Sequence, residues 1–272
     1  MCDQFFDTPQ MVGTAANIDY DMAEHVTDLY GTGFFITGSI NAPLNYNKQG
    51  VLALRIDNNC NLVANGSFSS SNSTEAGVSA VFDGQRIHLL SNNSEIHNFE
   101  LTTFGPNLNI LNHVGFSPCC DNYAGFSLRE NLNNPNNLII AGHIRSYDFV
   151  DNTGTVSFDN SPPFLLEVEK FSGNPVTAGV IGTYYQVVHN FNGMVSYRDY
   201  GGFYQPFTGQ QPFIFSPEML TTTPNGEYAL VSHRTNFSNE LDIELIKTDM
   251  FGKATDCQDE IIFSPFQICL LY

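Results

Sequence analysis

Carboxylates are the residues of this sequence that could most directly carry out chemistry. Two of them facing each other across a pocket could hydrolyse a glycosidic bond, one as the acid and the other as base or nucleophile. The candidates are Asp19, Asp21, Asp148, Asp151 and Glu167. A structural role competes, because Asp148 and Asp151 open a polar stretch typical of a solvated loop, and Glu167 shares one face of a predicted outer strand with Glu169. The complete absence of Trp argues further against a sugar-processing enzyme.

Motifs for other kinds of catalysis are missing from the sequence. It contains no GxSxG turn, HExxH pair, phosphate-binding glycine loop or dinucleotide fingerprint. Cysteines and histidines do not occur together at zinc-ligand spacing, so we predict no metal site and no cofactor. The stretch 148–160, rich in Asp and Asn, leaves Ca²⁺ open as an alternative, although it lacks the spaced ligands of a calcium loop. We predict no catalytic residue.

The sequence has six cysteines. An even number without a CxxC pair favours disulfides, and the candidates are Cys60, Cys119, Cys120, Cys257 and Cys269. The adjacent Cys119 and Cys120 are expected to bond to different partners, because a ring between neighbouring residues is strained. Buried free thiols in a cytosolic protein are the alternative. Cys2 directly follows Met1 and is either a plain tail cysteine or the lipid-bearing first residue of a mature lipoprotein.

An aromatic segment spans residues 201–217. It holds five aromatic residues and three prolines where a connection between strands should be short and polar. Exposed aromatic side chains on a stiff backbone suit recognition, so we predict a binding surface formed by Phe203, Tyr204, Phe207 and Phe213. The competing interpretation is a strap that packs Phe213 and Phe215 over the edge of a sheet.

The charge of the chain is strongly acidic, with 28 Asp and Glu against 10 Lys and Arg and a formal net charge of −18. Such a surface repels nucleic acid and anionic membranes, which bind through clustered basic side chains. No run of residues reaches the length of a membrane span, and no cleavable signal peptide is visible. The predicted partner is therefore a protein or glycan ligand, and the oligomeric state is left open.

The elements that must position these residues come from a repeated strand. Four versions of it end in a small residue followed by a polar one: Phe34–Ser39, Ile87–Asn92, Leu138–His143 and Tyr228–His233. The first three follow one another at about fifty residues, which is the length of one propeller blade of four strands. Apolar runs of this kind are typical of inner strands covered on both faces. We expect Phe35, Leu89, Ile139 and Leu230 to occupy equivalent buried positions.

A second hairpin follows each repeated strand, with Gly, Asn, Asp or Pro in its turn. These hairpins are Val51–Phe68, Phe99–Phe116, Phe164–Ile181 and Leu241–Ile262. Two hairpins make a blade of four antiparallel strands, so we predict an all-β propeller of about five blades in one domain, 1–272. The blades are placed at 20–70, 77–118, 126–182, 183–217 (irregular) and 218–265. A strand near Met11–Ala16 would close the ring, and a fragment of a longer propeller is the alternative.

The repeats also resemble a known family. GFFITGS followed by VLALRIDNNCNLV, and GEYALVSHR followed by DIELIKTDMFGKA, are similar to the tandem β-propeller repeats of secreted bacterial surface proteins, of the type IX secretion kind. The resemblance covers most of residues 20–262 and rests on short motifs. It implies a propeller fold and a location outside the cell, whereas propellers host many unrelated activities.

Together these observations predict an extracellular or cell-surface β-propeller that acts as a non-enzymatic binding or scaffold module. Loops on the two faces of a rigid disc can carry recognition at little cost to the fold. The alternative function is a propeller-type glycoside hydrolase that uses central carboxylates.

Overall fold

The computed structural model describes residues 22–41, 49–68, 75–93, 98–116, 122–145, 163–180, 189–191, 194–196, 220–235 and 241–250. These residues form seventeen β-strands and no helix. The strands are β1 Met22–Asp28, β2 Phe34–Asn41, β3 Gln49–Ile56, β4 Leu62–Phe68, β5 Glu75–Phe82, β6 Ile87–Asn93, β7 Asn98–Phe104, β8 Ile110–Phe116, β9 Asn122–Glu130, β10 Asn137–Arg145, β11 Pro163–Glu169, β12 Pro175–Val180, β13 His189–Phe191, β14 Met194–Ser196, β15 Leu220–Thr222, β16 Tyr228–Thr235 and β17 Leu241–Lys247.

Consecutive strands pair in antiparallel sheets. The first sheet is β1–β4, the second β5–β8, the third β9–β12 and the fourth β15–β17, while β13 and β14 form a separate hairpin. The predicted fold class is confirmed, since the described chain is all-β and builds blade-like sheets of up to four antiparallel strands. The sheets do not close into a ring within the residues that the structure describes.

The first three sheets share two β-bulges at matching places. One bulge adds a residue to the first strand of each sheet: Glu24, Val78 and Phe126. The other adds a residue to the fourth strand of each sheet: Val63, Leu111 and Val176. Because both irregularities recur in the same register, they align Phe34, Ile87 and Leu138 as one position of the repeat. The repeat is therefore present in the backbone as well as in the sequence.

Apolar clusters join the sheets in chain order. Phe35 and Leu89 pack in the cluster between the first and second sheets. Leu90 and Ile140 pack between the second and third sheets, and a third cluster joins the third sheet directly to the fourth. Strands inside such a stack are covered on both faces, which explains why β6 is buried along its whole length.

The four residues expected in the inner strands are buried as predicted: Phe35, Leu89, Ile139 and Leu230. The expectation that they are equivalent is wrong. Phe35 and Ile139 face the sheet that follows theirs, whereas Leu89 and Leu230 face the sheet that precedes theirs. Neighbouring residues of a strand point to opposite faces, so these residues occupy two adjacent positions of the repeat.

Candidate functional site

Short turns collect at one end of the stack, which we call the turn face. They connect strands within the sheets at residues 29–33, 57–61, 83–86, 105–109, 131–136, 170–174 and 223–227. Contacts between turns of successive sheets place them together: the Tyr30 ring lies on Phe82, the Arg86 guanidinium lies over Phe171, and Asn133 Nδ2 donates to Gly226 O at 2.9 Å.

Side-chain oxygens brace these turns. Asp57 Oδ1 accepts hydrogen bonds from the backbone N–H groups of Asn59 and Asn61, both at 2.8 Å. Asn131 Oδ1 accepts one from Asn133 N at 2.9 Å. Asp and Asn support turns in this way because their short side chains reach backbone donors two to four residues ahead. Hydrogen bonds donated by Asn61 are the main reason why the pKa of Asp57 lies below its ordinary value.

Tyr30 projects from the turn between β1 and β2, and 63 % of it is exposed. Its ring centroid lies 5.2 Å from that of Phe82, tilted by 53°. Its φ of +51° is left-handed, which is uncommon for a residue with a side chain. The turn is held by Leu29 N bonding to Gly33 O at 2.9 Å and by Gly31 N bonding to Asp28 Oδ1 at 3.2 Å. A large aromatic side chain is thus displayed from a braced backbone.

Phe171 is displayed in the same way by the turn between β11 and β12, and is 56 % exposed. The Arg86 guanidinium lies 4.4 Å from its ring centroid, within cation–π range. Asn112 Nδ2 donates to Phe171 O at 3.0 Å and ties this turn to the second sheet. Gly173 has a φ of +71°, and a Cβ there would lie 2.7 Å from Val114 Cγ2, so both conformation and space require glycine.

Carboxylates surround the Tyr30 end of the turn face. Partial burial, followed by the charges of Glu130, Asp83 and Asp28, raises the pKa of Tyr30. Glu130 is paired with Lys170, whose Nζ lies 2.5 Å from Glu130 Oε1. Tyr30, Asp83 and Glu130 belong to the first, second and third sheets, respectively.

A buried chain of polar groups runs beneath the turn face. Asp83 Oδ2 lies 3.1 Å from His88 Nε2, and His88 Nδ1 lies 3.0 Å from Thr103 Oγ1. Burial lowers the pKa of His88, so the imidazole is neutral near pH 7. Burial alone would raise the pKa of Asp83, but hydrogen bonds from Gln85 N, His88 and Arg86 N outweigh it and lower the pKa.

The order carboxylate, imidazole, hydroxyl is that of a nucleophilic triad. His88 is 0 % exposed and Thr103 is 2 % exposed, so a substrate has no access to the hydroxyl. We therefore assign this series of hydrogen-bonded side chains a positioning role. It fixes the turn that carries Asp83 and supports the Tyr30 ring through Phe82.

Among the carboxylates considered for hydrolysis, only Glu167 belongs to the described part of the chain. Its Oε1 accepts hydrogen bonds from Asn131 Nδ2 and Asn137 Nδ2, both at 2.7 Å. The carboxylate thereby ties β11 to both ends of the turn between β9 and β10. Asp19, Asp21, Asp148 and Asp151 lie outside the described residues.

The remaining predicted residues fall mostly outside the described ranges. These are the binding candidates Phe203, Tyr204, Phe207 and Phe213, and the disulfide candidates Cys119, Cys120, Cys257 and Cys269. Met11–Ala16 and most of the predicted irregular blade lie there as well. Cys60 is described: it lies in the turn between β3 and β4, is 4 % exposed and has a φ of +65°.

The described residues contain no group of three or more His, Cys, Asp or Glu side chains that could hold a metal ion. None of them forms a helix long and apolar enough to span a membrane.

Comparison with known proteins adds little to this geometry. No protein-family model matches the chain, and no curated protein matches it. Among solved structures, it is similar to a mutant of the Synechocystis apocarotenoid oxygenase, with 9 % identity and a TM-score of 0.37, covering 79 % of this chain and 46 % of that one. It is also similar to an ACO/RPE65 chimera, with 9 % identity and a TM-score of 0.39, covering 84 % of this chain and 58 % of that one. This chain thus spans about half the length of those proteins, and a likeness at this level supports no conclusion.

Sequence reasoning missed Tyr30 and Phe171 as surface aromatics. Each stands within two residues of a glycine in a short turn, in Tyr30-Gly31 and in Phe171-Ser172-Gly173. That neighbourhood is the signal that could have identified them, because a turn at a sheet end leaves a large side chain little to pack against.

Proposed function

We propose that this protein is a non-enzymatic binding or scaffold module, and that its turn face contacts the ligand. The observation that carries the proposal is the display of Tyr30 and Phe171, each more than half exposed, on turns braced by hydrogen bonds. Aromatic residues are enriched at recognition surfaces, where they supply a large contact area at a low cost in side-chain entropy. Turns that are already ordered lower the entropic cost of binding further.

An extracellular or cell-surface location is part of the same proposal. It is supported by the resemblance of the repeats to secreted bacterial propellers and by the acidic, lysine-poor composition. The six cysteines add support, because an even number without a CxxC pair favours disulfides. We propose a protein or glycan as the ligand, and a disulfide between Cys60 and one of the other cysteines.

Array binding tests this proposal. The full chain is applied to a glycan array and a peptide array, and every ligand it binds is measured again with the double variant Tyr30→Ala, Phe171→Ala. The matched control is Leu245→Ser, which alters a side chain of 72 % exposure in β17, away from both turns.

We expect the double variant to weaken binding at least tenfold while the control binds like wild type. A loss of two aromatic contacts of about 1 kcal/mol each predicts that size of effect. Binding that is equal in all three proteins, or no binding on either array, would contradict a ligand site on the turn face.

A further inference from the structure

Polar side chains line part of the interface between the first and second sheets, a region we call the polar seam. All of its members are buried: Thr37 and Ser39 from the first sheet, and Glu75, Ser91, Asn93, Glu100 and Thr102 from the second. They lie on the same faces of the two sheets as the core residues Phe35 and Leu89, because alternate residues of a strand share a face. The sheets approach closely here, since a Cβ on Gly77 would lie 2.0 Å from Thr37 Oγ1.

Two carboxyl groups lie together in the polar seam. Asn93 Nδ2 donates to Glu75 Oε1 at 3.0 Å, and Asn93 also bonds to Glu100. Burial, and then the neighbouring charge of Glu75, raises the pKa of Glu100 to about 7 despite the hydrogen bond from Asn93. Two ionised carboxylates in a buried site repel each other, and each loses hydration.

His113 of β8 does not supply a compensating charge. Its Nε2 lies 3.6 Å from Glu100 Oε2, beyond hydrogen-bond distance, and its Nδ1 lies 2.9 Å from Thr102 Oγ1. Burial lowers the pKa of His113, despite the opposing effect of Glu75, so the imidazole is neutral where Glu100 ionises.

Two buried serine hydroxyls also belong to the polar seam. Ser91 lies directly opposite Glu100 in the β6–β7 pair, and its buried hydroxyl has no hydrogen-bond partner in the described part of the chain. Ser39 on the facing sheet has a buried hydroxyl in the same condition.

Among the described residues of the first sheet, the titratable groups that contact the second sheet include His25 and Arg55, and Glu24 lies in the β1 bulge. His25 Nε2 lies 3.2 Å from Ala80 O, and Arg55 Nη1 donates to Pro106 O at the turn face. Partial burial raises the pKa of Glu24 to about 7, so it is a second carboxyl that titrates in the same range.

We propose that the polar seam is a proton-dependent lock, in which a protonated Glu100 lets the first sheet close on the second and ionised Glu100 loosens that contact. The direction follows from linkage. The carboxyl has an ordinary pKa of 4.5 and a pKa of about 7 in the folded seam, so its stabilising effect is complete below pH 4.5 and is lost as pH rises through 7. His113 acts oppositely: its contribution is present above 6.5, its ordinary pKa, and is lost as pH falls. Closure is therefore tightest under mildly acidic conditions.

Hydrogen exchange read by mass spectrometry tests the lock between pH 5.5 and 8.5, with each rate divided by the intrinsic rate at that pH. In the full chain, peptides covering 22–41 and 75–93 should lose protection as pH rises, by up to about tenfold per unit below pH 7. Peptides covering 220–247 in the fourth sheet are the internal reference.

Three variants distinguish the groups involved. Glu100→Gln keeps the size of the side chain but cannot ionise, so it should abolish the pH dependence in the first two sheets. Glu169→Gln changes an exposed carboxylate in β11 and should leave that dependence intact. If Glu24→Gln abolishes the dependence and Glu100→Gln does not, the assignment to Glu100 is overturned.

A direct titration covers the case in which Glu100→Gln fails to fold. Carboxyl ¹³C shifts of the wild-type protein, labelled at Glu and assigned through Glu24→Gln, should include a second group that titrates near pH 7. If every Glu other than Glu24 titrates below pH 5.5, the lock is refuted. Equal loss of protection in all sheets would also overturn it, because that result indicates global unfolding.

Discussion

Tyr30 exposes an aromatic ring to solvent, and its backbone adopts an unfavourable left-handed conformation. Its φ of +51° places the Cβ near the carbonyl oxygen that follows, which costs roughly 1 kcal/mol for an L-residue. The ring recovers part of this through contact with Phe82. Cys60 and Leu108 also have left-handed φ values, but each is the fourth residue of its five-residue turn, whereas Tyr30 is the second residue of the turn 29–33.

Replacing Tyr30 with glycine and with alanine separates these two effects. At an ordinary position alanine is the more stabilising residue by about 0.4–1 kcal/mol, because glycine has more freedom in the unfolded chain. At Tyr30 we expect the order to reverse, with Tyr30→Gly more stable than Tyr30→Ala by about 1 kcal/mol in urea unfolding. Both variants lose the ring equally, so the difference reports the backbone alone. Equal stability, or a more stable alanine variant, would mean that the turn is not left-handed at this residue.

Turns and bulges are the elements that set the geometry of each sheet. The bulges at Glu24, Val78 and Phe126 shift the register of the first strands, and those at Val63, Leu111 and Val176 shift the fourth strands. Bulges increase local twist. Their recurrence at matching places gives successive sheets the same shape, which lets their apolar faces stack in chain order.

Gly173 is a turn position at which both the backbone conformation and the available space require glycine. We expect Gly173→Ala to cost about 2 kcal/mol or more, because alanine disfavours a φ of +71° and its Cβ would contact Val114 at 2.7 Å. The control Gly66→Ala lies in β4, where a Cβ meets nothing within 4 Å, and should change stability by less than about 0.5 kcal/mol. Thermal and urea unfolding of both variants measure this. Similar losses in the two would contradict the described turn.

The described part of the chain is a stack of four sheets, joined by three apolar clusters and one polar seam, with β13 and β14 as a separate hairpin. Its acidic surface and braced turn face suit recognition, and its interior concentrates polar groups where the first sheet meets the second. A seam that costs energy when ionised is a natural place for the stack to open before the apolar clusters do, since local openings begin where stabilisation is weakest.

Oxidation of the cysteines involves residues from distant parts of the sequence. We predict that at least one disulfide forms in protein made in an oxidising compartment, so that fewer than the six cysteines of the sequence react with an alkylating reagent under denaturing, non-reducing conditions. Intact mass before and after reduction measures the count, and peptide mapping should place Cys60 in a disulfide. Six alkylated cysteines would contradict the proposed location outside the cell.

Much of the architecture was predictable from the sequence, because strand periodicity and turn chemistry act over a few residues. The repeated apolar strands with their Gly, Asn and Asp turns indicated antiparallel four-stranded sheets, and burial of Phe35, Leu89, Ile139 and Leu230 followed from the same pattern. The face to which each of these residues points was not predictable. They lie on the second strand of each sheet, where inner strands carry apolar residues without alternation, so the sequence does not mark which face meets which neighbouring sheet.

The candidate sites depended on tertiary structure for the same reason. In the sequence, Tyr30 and Phe171 look like ordinary turn residues, and only the packing of the neighbouring sheets shows that their side chains are exposed. The predicted binding surface of Phe203 to Phe213 stays a prediction. Glu100 has a local sequence like that of any strand carboxylate. Its pKa near 7 arises because Glu75, 25 positions earlier, lies beside it and because the first sheet covers both of them. Local sequence thus determines the strands and turns. The exposure and ionisation of individual side chains depend on residues that only the folded chain brings together.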